Sequence, residues 1–119
     1  MEKLLTILTP THNRGKYLGD IFKVLQQQTN QNFEWMIVDD GSTDTKEIVE
    51  SFIESNKLRI RYFYKENGGK HTAVNYGLKY ISTKLTVILD SDDYFTNDAV
   101  EVIEKTYNEN KNEKNICGF

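Results

Sequence analysis

Apolar residues along this chain fall in short clusters that switch between two periods, which predicts strands and helices in turn. Leu4 to Thr9 is a β-rich run that Pro10 is expected to stop, because proline has no N–H to give to a sheet ladder. Leu18, Ile21, Phe22 and Leu25 recur at helical spacing and predict a helix from about Tyr17 to Gln28. Phe33 to Val38 reads as a second strand and closes in Asp39-Asp40-Gly41-Ser42. Ile48, Val49, Phe52 and Ile53 mark a second helix, with Ser42, Thr43 or Asp44 available to cap its start. Leu58 to Tyr64 alternates apolar and polar residues and predicts a third strand, in which alternate aromatic residues face helices. After the turn Asn67-Gly68-Gly69, Val74, Leu78 and Ile81 carry a third helix. Leu85 to Leu89, the most apolar run, predicts a central strand that enters Asp90-Ser91-Asp92-Asp93. A fourth helix has Val100, Ile103 and Tyr107 on its inner face, and Asn115 to Phe119 reads as the start of another strand.

Strands alternating with helices imply an α/β fold, a mostly parallel open sheet with helices on both faces in the Rossmann-like manner. The 119 residues make one small domain, and an apolar content of 38% in clusters suffices for a core. A net charge of −3 argues against nucleic acid as a partner, since that binding rests on Lys and Arg neutralising phosphates. The one cysteine, Cys117, excludes an internal disulfide and a cysteine-based metal site. No signal peptide is recognisable at Met1-Glu2-Lys3, and no stretch approaches the roughly 20 apolar residues that span a bilayer, so a cytoplasmic location is expected. The chain stops within an apolar run, which suggests a truncated domain whose missing C-terminal part would carry any attachment to the inner face of a membrane.

Ligands of open α/β sheets bind beyond the carboxyl ends of the strands. Three of those ends carry distinctive polar sequences here: Thr9-Pro10-Thr11-His12-Asn13-Arg14, Asp39-Asp40, and the acids Asp90, Asp92 and Asp93. Parallel strands would bring all three to one rim. Three carboxylates within four residues repel one another unless a cation neutralises them. A hard divalent ion such as Mg²⁺ or Mn²⁺ suits oxygen ligands and would tie the protein to a diphosphate leaving group. A solvated turn in which one Asp caps the next helix is the plainer alternative. For Asp39-Asp40 the functional reading has one carboxylate accept from a nucleobase N–H while the other supports the loop; ordinary turn chemistry explains the pair equally well. Asn67-Gly68-Gly69-Lys70 is a glycine turn that also sets a lysine ahead of a helix N-terminus, where it would help hold phosphate.

Taken in order, Thr9-Pro10-Thr11-His12-Asn13-Arg14, Val38-Asp39-Asp40-Gly41-Ser42-Thr43-Asp44, Asn67-Gly68-Gly69-Lys70 with Asn75-Tyr76-Gly77, and Asp90-Ser91-Asp92-Asp93 resemble the family 2 glycosyltransferases of the GT-A fold. The resemblance covers almost the whole chain. It implies a GT-A nucleotide-binding half, a nucleotide-diphospho-sugar donor (most often a UDP-sugar) and inverting transfer to a glycan or lipid-linked acceptor. Carried over by position, Pro10, Thr11 and Asn13 line the nucleoside pocket, and Asp40 accepts from the uracil ring. Asp90 and Asp92 form the family's Asp-X-Asp motif, Asp92 as metal ligand and Asp90 as ribose or metal-water partner, with Mn²⁺ or Mg²⁺ implied. Lys70 and Asn75 border the donor. His12 stands where the family frequently has Tyr. Family members continue for roughly another hundred residues, a length within usual domain sizes, and the acceptor site and catalytic base are expected there, beyond residue 119. A nucleotide- or metal-binding module and a receiver-like signalling domain are the competing readings; the latter would set its acids after strands one and three, not two and four.

Overall fold

The computed structural model describes residues 3–13, 15–55, 57–90 and 96–110. Eight elements follow one another: β1 (Leu5–Thr11), α1 (Gly15–Gln26), β2 (Phe33–Asp40), α2 (Lys46–Glu54), β3 (Ile60–Lys65), α3 (Lys70–Leu78), β4 (Leu85–Ile88) and α4 (Ala99–Asn110). The four strands pair in parallel in the order β3-β2-β1-β4. The fold is α/β with an open, all-parallel sheet, as the alternation implies.

Side chains alternate across a strand, so the sheet has two apolar faces. Leu5, Ile7, Phe33, Trp35 and Ile37 meet Leu18, Ile21 and Leu25 of α1, Val49 of α2 and Val100 of α4. Leu8, Met36 and Val38 meet Ala73 of α3 on the other face. Every residue of β1 and β2 is buried. The inner residues expected for α4 hold their places: Val100 is buried, and Ile103 and Tyr107 pack against the same core.

Three expectations are corrected. Pro10 does not stop β1, which continues to Thr11 with Pro10 level with Val38 of β2. Even-numbered residues of β1 aim their backbone groups at β4, as Leu85 N–H to Leu4 O (3.1 Å) and Leu89 N–H to Leu8 O (2.9 Å) demonstrate. The absent N–H of Pro10 is the next donor in that ladder, so the proline ends pairing with β4 and leaves pairing with β2 intact. Second, β4 is not central; among the described residues it has only β1 beside it, and Ile88 is exposed. Third, Leu78 faces solvent, and α3 sits on the sheet through Ala73 and Gly77.

Small residues let α3 approach closely. A Cβ on Gly77 would stand 2.8 Å from Leu8 Cδ1 and 2.9 Å from Val38 Cγ2. Gly77→Val is therefore expected to overpack this face and lower stability by about 1–3 kcal/mol, read as an earlier urea midpoint with an unchanged slope.

Candidate functional site

The strand ends that carry the polar sequences lie on one rim. With β1 between β2 and β4, the tips bearing Asp40 and Asp90 are two strand spacings apart, about 10 Å. The chain runs β1 to β2 to β3 in one direction and returns to place β4 on the other side of β1, so β1 and β4 flank the topological switch point where ligands enter open α/β sheets. Pro10 is where these two strands cease to pair. Strand order and the end of β1–β4 pairing thus mark the same place.

Asp39 and Asp40 are neighbours in sequence but face opposite sides of the sheet. Asp39 lies on the α2 side, where its carboxylate accepts from Ser42 N–H (2.8 Å) and from the Tyr62 hydroxyl. Burial pushes the Tyr62 phenol far above its ordinary value, and the bond to Asp39 and its charge add to the shift. Asp40, 3% exposed, lies on the α3 side. Its Oδ1 accepts from Lys65 Nζ (2.6 Å) and Gly68 N–H (2.9 Å), and its Oδ2 from Gly69 N–H (2.9 Å). Burial alone would raise this carboxyl's pKa; the Lys65 hydrogen bond, the two backbone donors and the Lys65 charge outweigh it, leaving the value below the ordinary 3.8. A carboxylate offers about four acceptor sites, so three donors leave Asp40 one to spare.

These contacts fix the loop before α3. Gly41 and Gly69 both have positive φ, 80° and 103°. A Cβ on Gly41 would meet Asn67 N at 2.9 Å, so glycine is needed where the two loops touch. The Asp40 carbonyl collects two more donors, His12 Nδ1–H (2.7 Å) and Asn67 Nδ2–H (3.1 Å). A carbonyl only accepts, so Nδ1 carries the proton in the His12 ring. Asn13, in the left-handed region at φ 52°, joins the loops after β1 and β2: its N–H donates to Ser42 Oγ (2.7 Å), and its Oδ1 accepts from Thr43 N–H (3.1 Å). Asp44 reaches the start of α1, accepting from Gly15 N–H at 3.3 Å. The cap expected for α2 is absent: its N-cap is Thr45, which makes no side-chain cap bond.

The anchored loop delivers Lys70, the first residue of α3, to the tip of β4, where Nζ lies 2.6 Å from Asp90 Oδ2. The tip of β4 is thus tied to the glycine turn by a lysine ammonium. Pro10 and Thr11 are buried at the end of β1, and Thr11 Oγ1 has no hydrogen-bond partner among the described residues. Asn75 is exposed on α3. Asp92 and Asp93 lie outside the described residues, and among those described no three metal-ligating side chains cluster. Asp90, an oxygen donor already beside the Lys70 ammonium, suits a hard cation in its chemistry.

Sequence reasoning missed three side chains that hold this rim, Tyr62, Lys65 and His12, and a fourth, Gln28, at the opposite end of the sheet. Buried Gln28 donates to Thr96 O (2.6 Å) and accepts from Val100 N–H (3.1 Å), while Thr29 N–H donates to Asn97 O (2.9 Å). The end of α1 therefore grips the first described residues after the acidic segment. A glutamine closing a helical pattern gives no sign of such a role.

A family model for glycosyl transferase family 2 matches residues 6–119. The chain belongs to that family. Among family relatives, an uncharacterised glycosyltransferase of Rickettsia felis is 39% identical over 89% of this chain and 17% of its own length. The minor teichoic acid biosynthesis protein GgaB of Bacillus subtilis is 32% identical over 96% of this chain and 13% of its own. This chain therefore spans less than a fifth of either relative. S. aureus TarS 1-349 superposes with a TM-score of 0.83 at 30% identity, covering 91% of this chain and 33% of that one. Its complex with UDP-GlcNAc gives a TM-score of 0.83 at 27% identity over 96% of this chain and 37% of that one. Family membership removes the receiver-like reading.

Proposed function

We propose that this chain is the donor-binding part of an inverting glycosyltransferase that takes its sugar from a nucleotide-diphospho-sugar, a UDP-sugar in the first instance. The observation that carries the reading is the common rim: Asp40 and Asp90 lie at the same end of a parallel sheet, with the Lys70 loop linking them across the switch point. TarS, a neighbour of the same fold, has been crystallised with UDP-GlcNAc, which supports the choice of donor.

In this reading the nucleoside lies along Pro10, Thr11, Asn13 and the β2 tip, where Asp40 offers its spare acceptor site to the uracil N–H. The diphosphate lies at the switch point, drawn by the Lys70 ammonium and by the backbone N–H groups that open α3. Asp90 and Asp92 would hold Mn²⁺ or Mg²⁺, which supplies charge neutralisation to the departing diphosphate. Direct displacement with inversion requires a base on the side opposite the leaving group. Asp39 is buried and committed to its loop, Asp40 is taken up by Lys65, the glycine turn and, in this reading, the uracil, and Asp90 sits on the diphosphate side. We assign the base, and with it the acceptor site, to protein outside these 119 residues, so this chain by itself should bind donor and transfer nothing. Kinship with GgaB, named for teichoic acid biosynthesis, favours a cell-surface polysaccharide or glycolipid acceptor; work at the cytoplasmic face of the membrane is part of the proposal. Among the described residues no helix is long and apolar enough to cross a membrane.

Calorimetry with UDP, with and without Mn²⁺, tests the site. The expected result is Mn²⁺-dependent binding that weakens roughly tenfold or more, about 1.4 kcal/mol per decade, in Asp92→Ala. Equal binding by variant and parent, or indifference to Mn²⁺, would count against the metal reading.

A further inference from the structure

We propose that the end of the sheet opposite the donor rim is a membrane-docking surface, where Lys3, Lys57 and Arg59 gather the phosphate headgroup of an anionic lipid. It rests on the membrane-face part of the function proposed above and is independent of the donor site.

At the amino ends of β1, β2 and β3 an open hollow of about 480 Å³ is lined by Lys3, Gln31, Phe33, Lys57, Leu58 and Arg59. Among these described residues there is no carboxylate. Lys3 is drawn over the hollow by its Nζ, which donates to Gln31 O at 3.3 Å. Lys57 is exposed and makes no hydrogen bond or ion pair among the described residues. Arg59 meets the Glu34 carboxylate through Nε (3.2 Å), and Arg61 meets it through Nη1 (3.3 Å). One carboxylate thus faces two guanidinium groups, and one positive charge is left over. Arg59, its side chain 60% exposed against 31% for Arg61, presents that charge to water.

Two properties select an anionic lipid. Charges more than about 8 Å apart are largely screened at physiological salt, so the local cations set the sign of this surface although the chain as a whole carries −3. Phe33 and Leu58 give the hollow an apolar floor continuous with the core. That floor suits the glycerol and acyl part of a lipid and offers a bare phosphate ion nothing. The acids of this end are kept apart: Glu101, Glu104 and Glu109 line a separate hollow beside Asn30, and Glu104 accepts from Asn32 Nδ2–H at 3.0 Å. An anionic bilayer is therefore met by the β3 side of this end, with α4 turned away. The donor rim lies roughly 25 Å off along the eight residues of β2, and stays open to the solution that supplies nucleotide-sugar.

The test is co-sedimentation of the chain with vesicles of phosphatidylglycerol and phosphatidylcholine in equal parts, against phosphatidylcholine alone, at low and at raised salt. The parent is expected to bind only the anionic vesicles and to be released by salt. A lysine near an anionic surface is worth roughly a fivefold change in partition, so Lys3→Gln and Lys57→Gln should each weaken binding about fivefold and the double variant about 25-fold. Lys46→Gln, the same change of charge at the exposed start of α2 near the other end, should stay within about twofold of the parent. UDP binding by calorimetry should be alike in the parent and all these variants. Indifference of the parent to lipid charge overturns the docking surface and leaves the donor reading standing. Equal losses in Lys46→Gln and Lys57→Gln overturn it too, because the attraction would then belong to the whole chain. Calorimetric binding of inorganic phosphate without retention by the vesicles overturns the lipid in favour of the free ion. Vesicle binding as expected with no UDP binding overturns the donor reading alone.

Discussion

Replacing Asp40 by alanine is expected to lower the stability of the domain by about 3–5 kcal/mol, the range for breaking a buried ion pair by removing one partner. The change strands the Lys65 ammonium in a place only 15% exposed to water, and it deprives the Gly68 and Gly69 N–H groups of their acceptor. The Asn67–Gly69 loop loses its anchor, and UDP affinity should fall with it. Urea unfolding of Asp40→Ala, Lys65→Met and the double variant checks the cause: the double variant should recover part of the loss, because no unpaired charge then remains. Full additivity of the two single effects would refute the pairing. The same carboxylate makes an acid-side contribution to stability. Its folded pKa lies below its ordinary value of 3.8, so the native state holds the proton more weakly than the unfolded chain does. The stabilisation is therefore complete above about pH 4 and disappears as the pH falls through the lowered value. Asp40→Asn should lack that part of the acid limb.

The second large effect belongs to the core. Trp35 is fully buried in the middle of β2, packs against the stacked pair Phe22 and Phe52 at ring-centroid distances of 6.4 and 6.1 Å, and donates its indole N–H to Thr9 Oγ1 at 2.9 Å. Trp35→Ala should cost about 3–5 kcal/mol, the usual range for truncating a large buried aromatic. It is the only tryptophan, so far-UV circular dichroism would follow the unfolding. Trp35→Phe keeps most of the volume but leaves the Thr9 hydroxyl unpaired, and about 1–3 kcal/mol is expected from that alone. A loss in the alanine variant no larger than in the phenylalanine variant would show that the ring's volume matters less than its hydrogen bond.

What could be read from the sequence was whatever repeats with a short period. The spacing of Leu18, Ile21 and Leu25 located α1, and the unbroken apolar run before Asp39 located β2, because one periodicity describes each of them. The rule for Pro10 failed because a proline is forbidden only where its N–H is needed, and need depends on which neighbouring strand that position faces. Leu85 to Leu89 looked central from hydrophobicity, but position in a sheet is fixed by pairing order, which no local pattern records. Leu78 misled for the opposite reason: α3 packs through Gly77 and Ala73, whose smallness carries no weight in a search for bulky inner residues.

The rim was legible in its acids and illegible in its supports. Asp40, Lys70 and Asp90 were legible because alternating strands and helices imply parallel strands, which bring the polar strand ends to one rim. Tyr62 and Lys65 come from β3, whose alternation accounts for them as sheet residues, and only the register that sets Tyr62 level with Ile37 and Lys65 level with Asp40 brings them to the acids. His12 on the rim, like Gln28 at the other end of the sheet, acts through backbone groups, partners that leave no mark in a sequence.

The division of labour between Asp39 and Asp40 has a consequence for how this segment can vary. Their duties are assigned by parity along β2, with odd positions toward Trp35's side and even positions toward Met36's. Deleting or inserting a single residue between Phe33 and Val38 would hand each acid the other's surroundings, pointing a carboxylate without Lys65 at Tyr62 and swapping the two hydrophobic layers at the same stroke. Substitutions in this stretch have room to drift as long as the count of residues is kept. A change of length has none.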